Sequence, residues 1–96
     1  MIPTPYKHLP GKTQKLAIGA ASVSSTAFSA QTYAIRVVAS GACHIELGPA
    51  PVATASSAFV APNARGEFIG VSPGEKIAVI DDGTVAGNLY ITELSR

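Results

Sequence analysis

The chain offers few side chains that carry out chemistry, and the most closely spaced are Cys43, His44 and Glu46. A thiol beside an imidazole is the pairing that a cysteine nucleophile and its base require. If this stretch is a β-strand, successive side chains point to opposite faces, so Cys43 and His44 cannot meet. The pattern therefore argues against a nucleophilic enzyme.

His44 and Glu46 would share one face of that strand, and the predicted pairing places Arg36 beside them. These residues form either a polar contact patch or half of a metal site. A zinc site needs a third or fourth ligand, which the sequence does not supply here, so a solvated strand face is the simpler interpretation. The other histidine, His8, lies in a proline-rich segment.

Two short motifs also invite a chemical interpretation. Residues 81–83 (DDG) begin like a calcium loop, but no further carboxylate follows at the spacing that such a loop requires, so a turn is the better interpretation. Residues 74–76 (GEK) lack the rest of a phosphate-binding loop and open a strand rather than a helix. We therefore expect no catalytic residues, no cofactor and no metal site, and we expect that the protein is not an enzyme.

The element that would position these side chains is a pair of strand patterns at residues 33–39 and 42–48. Apolar residues alternate at a period of two, which is typical of half-buried strands. The residues that share the predicted buried faces are Tyr33, Ile35 and Val37 in the first pattern and Cys43, Ile45 and Leu47 in the second. The Ser40-Gly41 pair between the patterns predicts a hairpin turn.

The register of this hairpin follows from keeping the apolar faces together. A type I turn over residues 39–40, followed by Gly41 in the left-handed conformation as a bulge, achieves this. It pairs Val37 with Cys43, Ile35 with Ile45 and Tyr33 with Leu47, and it leaves Arg36 beside His44 outside. A slip of one residue would expose the whole apolar set. We therefore predict a bulged hairpin.

The remaining chain alternates strand patterns with Gly and Pro turns. Strands are predicted at residues 12–19, 58–61, 67–71, 76–80 and 88–94, with irregular or edge-strand structure at residues 20–30. Residues 72–75 (SPGE) predict a type II turn, which twists the wrong way for a tight hairpin and so should carry the chain between two sheets. About seven to eight short strands predict an all-β fold, either a small antiparallel β-sandwich or a jelly-roll-like barrel.

The last two strand patterns differ in character. Residues 76–80 (KIAVI) are almost uniformly apolar, so we predict a strand at the centre of a sheet. Residues 88–94 alternate instead. Leu89, Ile91 and Glu93 fall on one face, and Tyr90, Thr92 and Leu94 fall on the other.

The chain begins with a segment that contains three prolines, each of which fixes φ and removes a backbone donor. We predict an extended Pro-rich N-terminal arm at residues 1–11 and a single β-sandwich domain at residues 12–96. Ile2, Tyr6 and Leu9 would allow the arm to dock on a neighbour. The alternative is a frayed terminus.

Composition limits the class of protein. Charged residues make up 14% of the 96 residues, against roughly 25% in an ordinary soluble domain, and mean hydropathy is +0.30. Such a chain has too little charge to cover its surface, so we expect other subunits to cover part of it, as in a homo-oligomer. A net charge of +1 with scattered Lys and Arg argues against nucleic-acid binding. The single cysteine excludes an internal disulfide, and no apolar run is long enough for a membrane span.

Four ordered blocks carry a family resemblance: residues 33–48 (YAIRVVASGACHIELG), 51–62 (PVATASSAFVAP), 71–80 (VSPGEKIAVI) and 87–94 (GNLYITEL). Together they resemble the small virion structural proteins of tailed bacteriophages. Each block alone is a strand and turn pattern, and the resemblance rests on their order and spacing. The N-terminal arm lies outside it.

The resemblance implies a virion protein assembled in the host cytoplasm: a capsid decoration or cement protein, or a head or tail accessory protein. Its partners would be the major capsid protein or other virion proteins, and a trimer is expected because decoration proteins often occupy three-fold positions. The alternative is a β-sandwich module that binds carbohydrate, with Tyr90 as its platform. The candidate interface residues are Ile2, Tyr6, Leu9, Arg36, His44, Glu46 and Tyr90.

Overall fold

The structure, a computed structural model, describes residues 7–62, 66–83 and 87–95. These residues form eight strands: β1 (Lys7–Ile18), β2 (Val23–Ser24), β3 (Ala34–Ala39), β4 (Cys43–Gly48), β5 (Ala58–Val60), β6 (Glu67–Gly70), β7 (Lys76–Asp81) and β8 (Gly87–Ser95). No helix occurs in these ranges, and hence none that is long and apolar enough to cross a membrane. The predicted all-β fold is confirmed.

The strands form two antiparallel sheets that enclose one core. The first sheet has the order β1-β8-β3-β6, and the second has the order β2-β7-β4-β5. The pairing is nested, since β1 pairs with β8, β2 with β7, β3 with β6 and β4 with β5. This nesting is the strand order of a jelly roll, in which one long antiparallel ribbon is rolled into two sheets.

The predicted hairpin between the third and fourth strands is wrong. β3 belongs to the first sheet, where Ile35 is opposite Ile69, whereas β4 belongs to the second sheet, where Ile45 is opposite Val79. The predicted buried faces are nevertheless correct for Ile35, Val37, Cys43 and Ile45. Alternation defines the face that a strand buries but not its partner, and the inner faces of β3 and β4 point into the same core.

Two further details of that hairpin are also wrong. Gly41 is not among the glycines with positive φ, so it is not a left-handed bulge residue. Instead, the β3–β4 corner packs against the start of β8, where Asn88 N donates to Ser40 Oγ at 2.8 Å and a Cβ atom on Gly87 would lie 2.8 Å from the Gly41 nitrogen. Tyr33 is 62% exposed rather than buried. It precedes β3, so the alternation of that strand does not set its direction.

Strand β1 begins at Lys7, earlier than predicted, so the last part of the expected arm belongs to the β-domain. Pro10 and Gly11 lie where the pairing with β8 shifts register, and Gly11 has a φ of +71°. Pro10 is tolerated because β1 is an edge strand and need not donate on its outer side. The remainder of the predicted arm, including Ile2 and Tyr6, lies outside the described residues.

The predicted type II turn is confirmed. Gly74 has a φ of +83°, and Glu75 N donates to Ser72 O at 3.1 Å. The turn joins β6 of the first sheet to β7 of the second, as its twist requires. The strand that follows is interior, and its Ile77 and Val79 are fully buried, as predicted for residues 76–80.

We expect Gly74→Ala to lower the free energy of unfolding by about 1 kcal/mol, because a residue with a Cβ atom is strained at positive φ. Nothing lies within 4 Å of a Cβ built at Gly74, so steric overlap adds nothing. Gly19→Ala is the matched control, since its Cβ also meets nothing and its φ is not positive. Urea denaturation measures both, and equal midpoints would contradict the expected strain.

Candidate interaction surfaces and a buried carboxylate

The residues predicted to form an interface do not lie on one surface. Strand pairing places Arg36 and Tyr90 on the outer face of the first sheet, and His44 and Glu46 on the outer face of the second. Arg36 therefore does not lie beside His44, because that contact depended on the predicted hairpin. Leu9 is half-buried on the edge strand β1.

His44 and Glu46 share a strand face, as predicted, and Ser57 connects them. The Nδ1–H of His44 donates to the carbonyl oxygen of Ser57 at 2.9 Å, and the Ser57 hydroxyl donates to Glu46 Oε1 at 2.9 Å. The His44 ring meets the Phe59 ring edge-on, with centroids 5.5 Å apart. Ser57 lies in the loop before β5, among small residues where no sequence pattern marks it.

The hydrogen bonds of this patch join one imidazole, one hydroxyl and one carboxylate. Within the described part of the chain, no three His, Cys, Asp or Glu side chains lie close enough together to hold a metal ion. The patch presents hydrogen-bonding groups and an aromatic ring on one strand face.

The loop at residues 49–57 shields the middle of the same face. It reaches the far margin of the second sheet, where Ala53 N donates to Ser22 Oγ at 2.9 Å beside β2. Ala53 is buried, and so is Ala78, although its pairing with β4 directs it outward. The margin of this face near β5 remains open beside Phe59.

A buried carboxylate, Glu93, holds the loop that precedes β3. It shares the inner face of β8 with Leu89 and Ile91, as the alternation predicts, and is only 3% exposed. Its Oε1 accepts hydrogen bonds from Thr32 Oγ1 at 2.5 Å, Ser29 Oγ at 2.9 Å and Ser29 N at 3.0 Å. The sequence placed Glu93 on the apolar face but did not reveal these partners.

The environment of Glu93 keeps it ionised. Burial by itself raises the pKa of this carboxyl, but hydrogen bonds from Thr32 and Ser29, with the charge of Lys12, lower it below the ordinary value of 4.5. The hydrogen bonds therefore stabilise the charged form by more than burial destabilises it.

We expect the free energy of unfolding to fall in acid through this group. A carboxyl whose pKa is lowered by folding stabilises the native state above its unfolded pKa, and the contribution is lost as the pH falls below about 4.5 and through the folded pKa. Glu93→Gln lacks this titration, so its stability should depend less on pH in that range. Denaturation of both proteins between about pH 6 and about pH 2 measures the difference, and parallel curves would contradict the lowered pKa.

Cys43 is fully buried, as its strand face predicted. Burial, with a smaller contribution from the charge of Asp82, raises the pKa of its thiol to about 11. Since the thiolate is the reactive form, this cysteine is inert at neutral pH and acts as a small apolar core residue.

In the part of the chain that the structure describes, the two sheets are separated by cavities between their edge strands β5 and β6. Two cavities of about 350 and 290 Å³ lie there, and both are bordered by Phe59, Val60 and Glu67. One reaches Ile45 of the second sheet, and the other reaches Val37 of the first. We refer to these two cavities together as the β5–β6 opening.

Large apolar side chains are exposed around the molecule. Those among the described residues are Val23, Tyr33, Val52, Phe59, Phe68 and Tyr90. Phe59 and Phe68, on the two edge strands that flank the β5–β6 opening, are each more than half exposed. Tyr90 lies between Lys15 and Val38 in the strand register, so no second aromatic ring adjoins it along that row.

Comparisons of the chain with protein-family models, curated proteins and solved structures found no match. The function is therefore inferred from the residues, the fold and the surfaces described above.

Proposed function

We propose that the protein is a structural component of a bacteriophage virion, a capsid decoration or cement protein that binds across capsomer joints. The observation that carries this proposal is the pair of phenylalanine rings, Phe59 and Phe68, that are each more than half exposed on the edge strands β5 and β6. Aromatic side chains are enriched at the surfaces through which proteins attach to one another.

The composition supports the same function. Only 14% of the residues are charged, so few charged side chains keep the exposed apolar surface soluble. Burial of that surface against a shell is favourable. Each Å² of apolar surface that leaves water contributes about 25 cal/mol. A protein that binds the joint between capsomers, and not the separated capsomers, stabilises the assembled particle by mass action.

The jelly roll itself is an analogy, because it occurs both in viral capsid proteins and in lectins. A carbohydrate-binding role would rest on Tyr90, which is 38% exposed and has Lys15 and Val38 as its neighbours in the register. One partly exposed ring offers less contact area than the two exposed phenylalanine rings on the edge strands. Attachment to a protein shell is therefore the better-supported function.

Co-sedimentation with particles that lack this protein tests the proposal. The wild-type protein should bind the particles, and Phe59→Asp and Phe68→Asp should weaken binding at least about tenfold, since each places a charge in the apolar interface. Ala20→Asp is the control, because Ala20 is an exposed small residue in the loop after β1. Failure of the wild-type protein to bind, together with its absence from purified virions by mass spectrometry, would overturn the proposal.

A further inference from the structure

The sequence before β1 has the pattern of a strand that pairs along one edge only. Residues 1–6 read MIPTPY. In an extended segment, the even-numbered residues direct their side chains to one face and their N–H groups to one edge. The odd-numbered residues direct their N–H groups to the other edge, where Pro3 and Pro5 have none to offer. Ile2 and Tyr6 therefore fall on the same face of a segment whose second edge cannot be extended.

The β5–β6 opening is complementary to this pattern. Its two cavities share Phe59, Val60 and Glu67, so they adjoin each other along the edge of the sandwich. Adjoining cavities beside an open strand edge are what alternate side chains of an added strand occupy. Among the described residues of the lining, the charged ones are Glu46 and Glu67, whereas residues 1–6 have no acidic side chain and lead into Lys7.

The segment is too short to occupy the opening of its own copy. β1 and β6 are the opposite edges of the first sheet and are separated by β8 and β3, a distance of about 14 Å at the usual strand spacing. Six extended residues span at most about 20 Å. Six residues can therefore cross the first sheet, but they cannot also run along β6. The segment of a neighbouring copy does not have to cross the sheet first.

We propose that residues 1–6 of one copy lie in the β5–β6 opening of a second copy, with Ile2 and Tyr6 in its two cavities. The contact covers the two cavities and the exposed Phe59 ring that borders them, and the prolines end the added sheet on its outer edge. Because the segment and the opening are different surfaces, the association is head-to-tail, and it closes into a ring such as a trimer where the rotation permits. This contact between copies goes beyond attachment to a capsid, and its tests contain no capsid.

Sedimentation of the full chain over a wide concentration range is the first test. The wild-type protein should form a closed oligomer, and Ile2→Asp/Tyr6→Asp should weaken its association at least about a hundredfold, because two carboxylates would enter apolar cavities. Ala50→Asp/Val52→Asp introduces the same charges on an exposed loop and should behave as the wild type. A wild-type protein that stays monomeric, or equal association of the two double variants, would overturn the inference.

Cross-linking between two separately prepared variants shows whether the contact is between copies. Tyr6→Cys mixed with Ala58→Cys in oxidised glutathione should give a mixed disulfide dimer at least about tenfold faster than Tyr6→Cys mixed with Val52→Cys, since Ala58 lines the opening and Val52 does not. Cys43 is buried and does not compete. Equal rates in the two mixtures would overturn the inference.

Discussion

Ile91→Asp is expected to abolish the folded state at room temperature. Ile91 is fully buried on β8, between β1 and β3, where Gln14 and Val37 are its neighbours in the register. Neither can neutralise a carboxylate, and burying one without a partner costs several kcal/mol. A domain of this size has a total stability towards the lower end of about 5–15 kcal/mol.

Tyr90→Asp is the matched control for Ile91→Asp. It makes the same kind of change one residue away on the same strand, but its side chain faces solvent on the outer face of the first sheet. The variant should keep its cooperative thermal transition and its near-ultraviolet circular dichroism, whereas Ile91→Asp should lose both. The reverse order of stability would show that the faces of β8 are wrongly assigned.

The sequence was informative wherever a local rule applies. Alternation at a period of two identified the inner faces of β3, β4 and β8, although Leu94 on the opposite face of β8 is buried as well. The Pro-Gly pair identified a type II turn that carries the chain between the sheets. Both rules concern a few neighbouring residues. The pairing of strands is not local, since the partner of Ile35 is Ile69 rather than the nearby Ile45.

The hairpin prediction failed for this reason. In a jelly roll, consecutive strands can lie in opposite sheets, and both strands then direct the same parity of residues into a shared core. The apolar pattern of residues 33–48 fits that arrangement as well as it fits a hairpin. Gly41 does not distinguish the two arrangements, because glycine is found both in tight corners between strands and in β-bulges.

The candidate sites were predicted only in part, for a related reason. His44 and Glu46 share a face, as the period of two required, but Ser57 joins them from a loop of small residues without a pattern. Glu93 could be recognised from the sequence as unusual. A carboxylate on the apolar face of a strand must find hydrogen-bond donors, yet nothing local points to Ser29 as one of them.

The hydrogen bonds of Glu93 predict the second large effect, since Glu93→Ala should lower the free energy of unfolding at neutral pH by about 2–4 kcal/mol. The substitution leaves the buried Thr32 hydroxyl and the Ser29 N–H without their acceptor. Glu93→Gln should lose less, because an amide oxygen can still accept these bonds although it carries no charge.

Glu67→Ala removes an exposed carboxylate from the edge strand β6 and should change stability by less than about 0.5 kcal/mol, so it is the matched control for Glu93→Ala. Urea denaturation gives the three stabilities, and hydrogen exchange adds a local measurement at the Ser29 amide, whose protection should fall in Glu93→Ala and not in Glu67→Ala. Because the pKa of Glu93 is lowered in spite of its burial, its hydrogen bonds outweigh the cost of taking the charge out of water. If Glu93→Ala were as stable as Glu67→Ala, that balance would be wrong, and the loop before β3 would be held by its backbone contacts with the turn that follows β6.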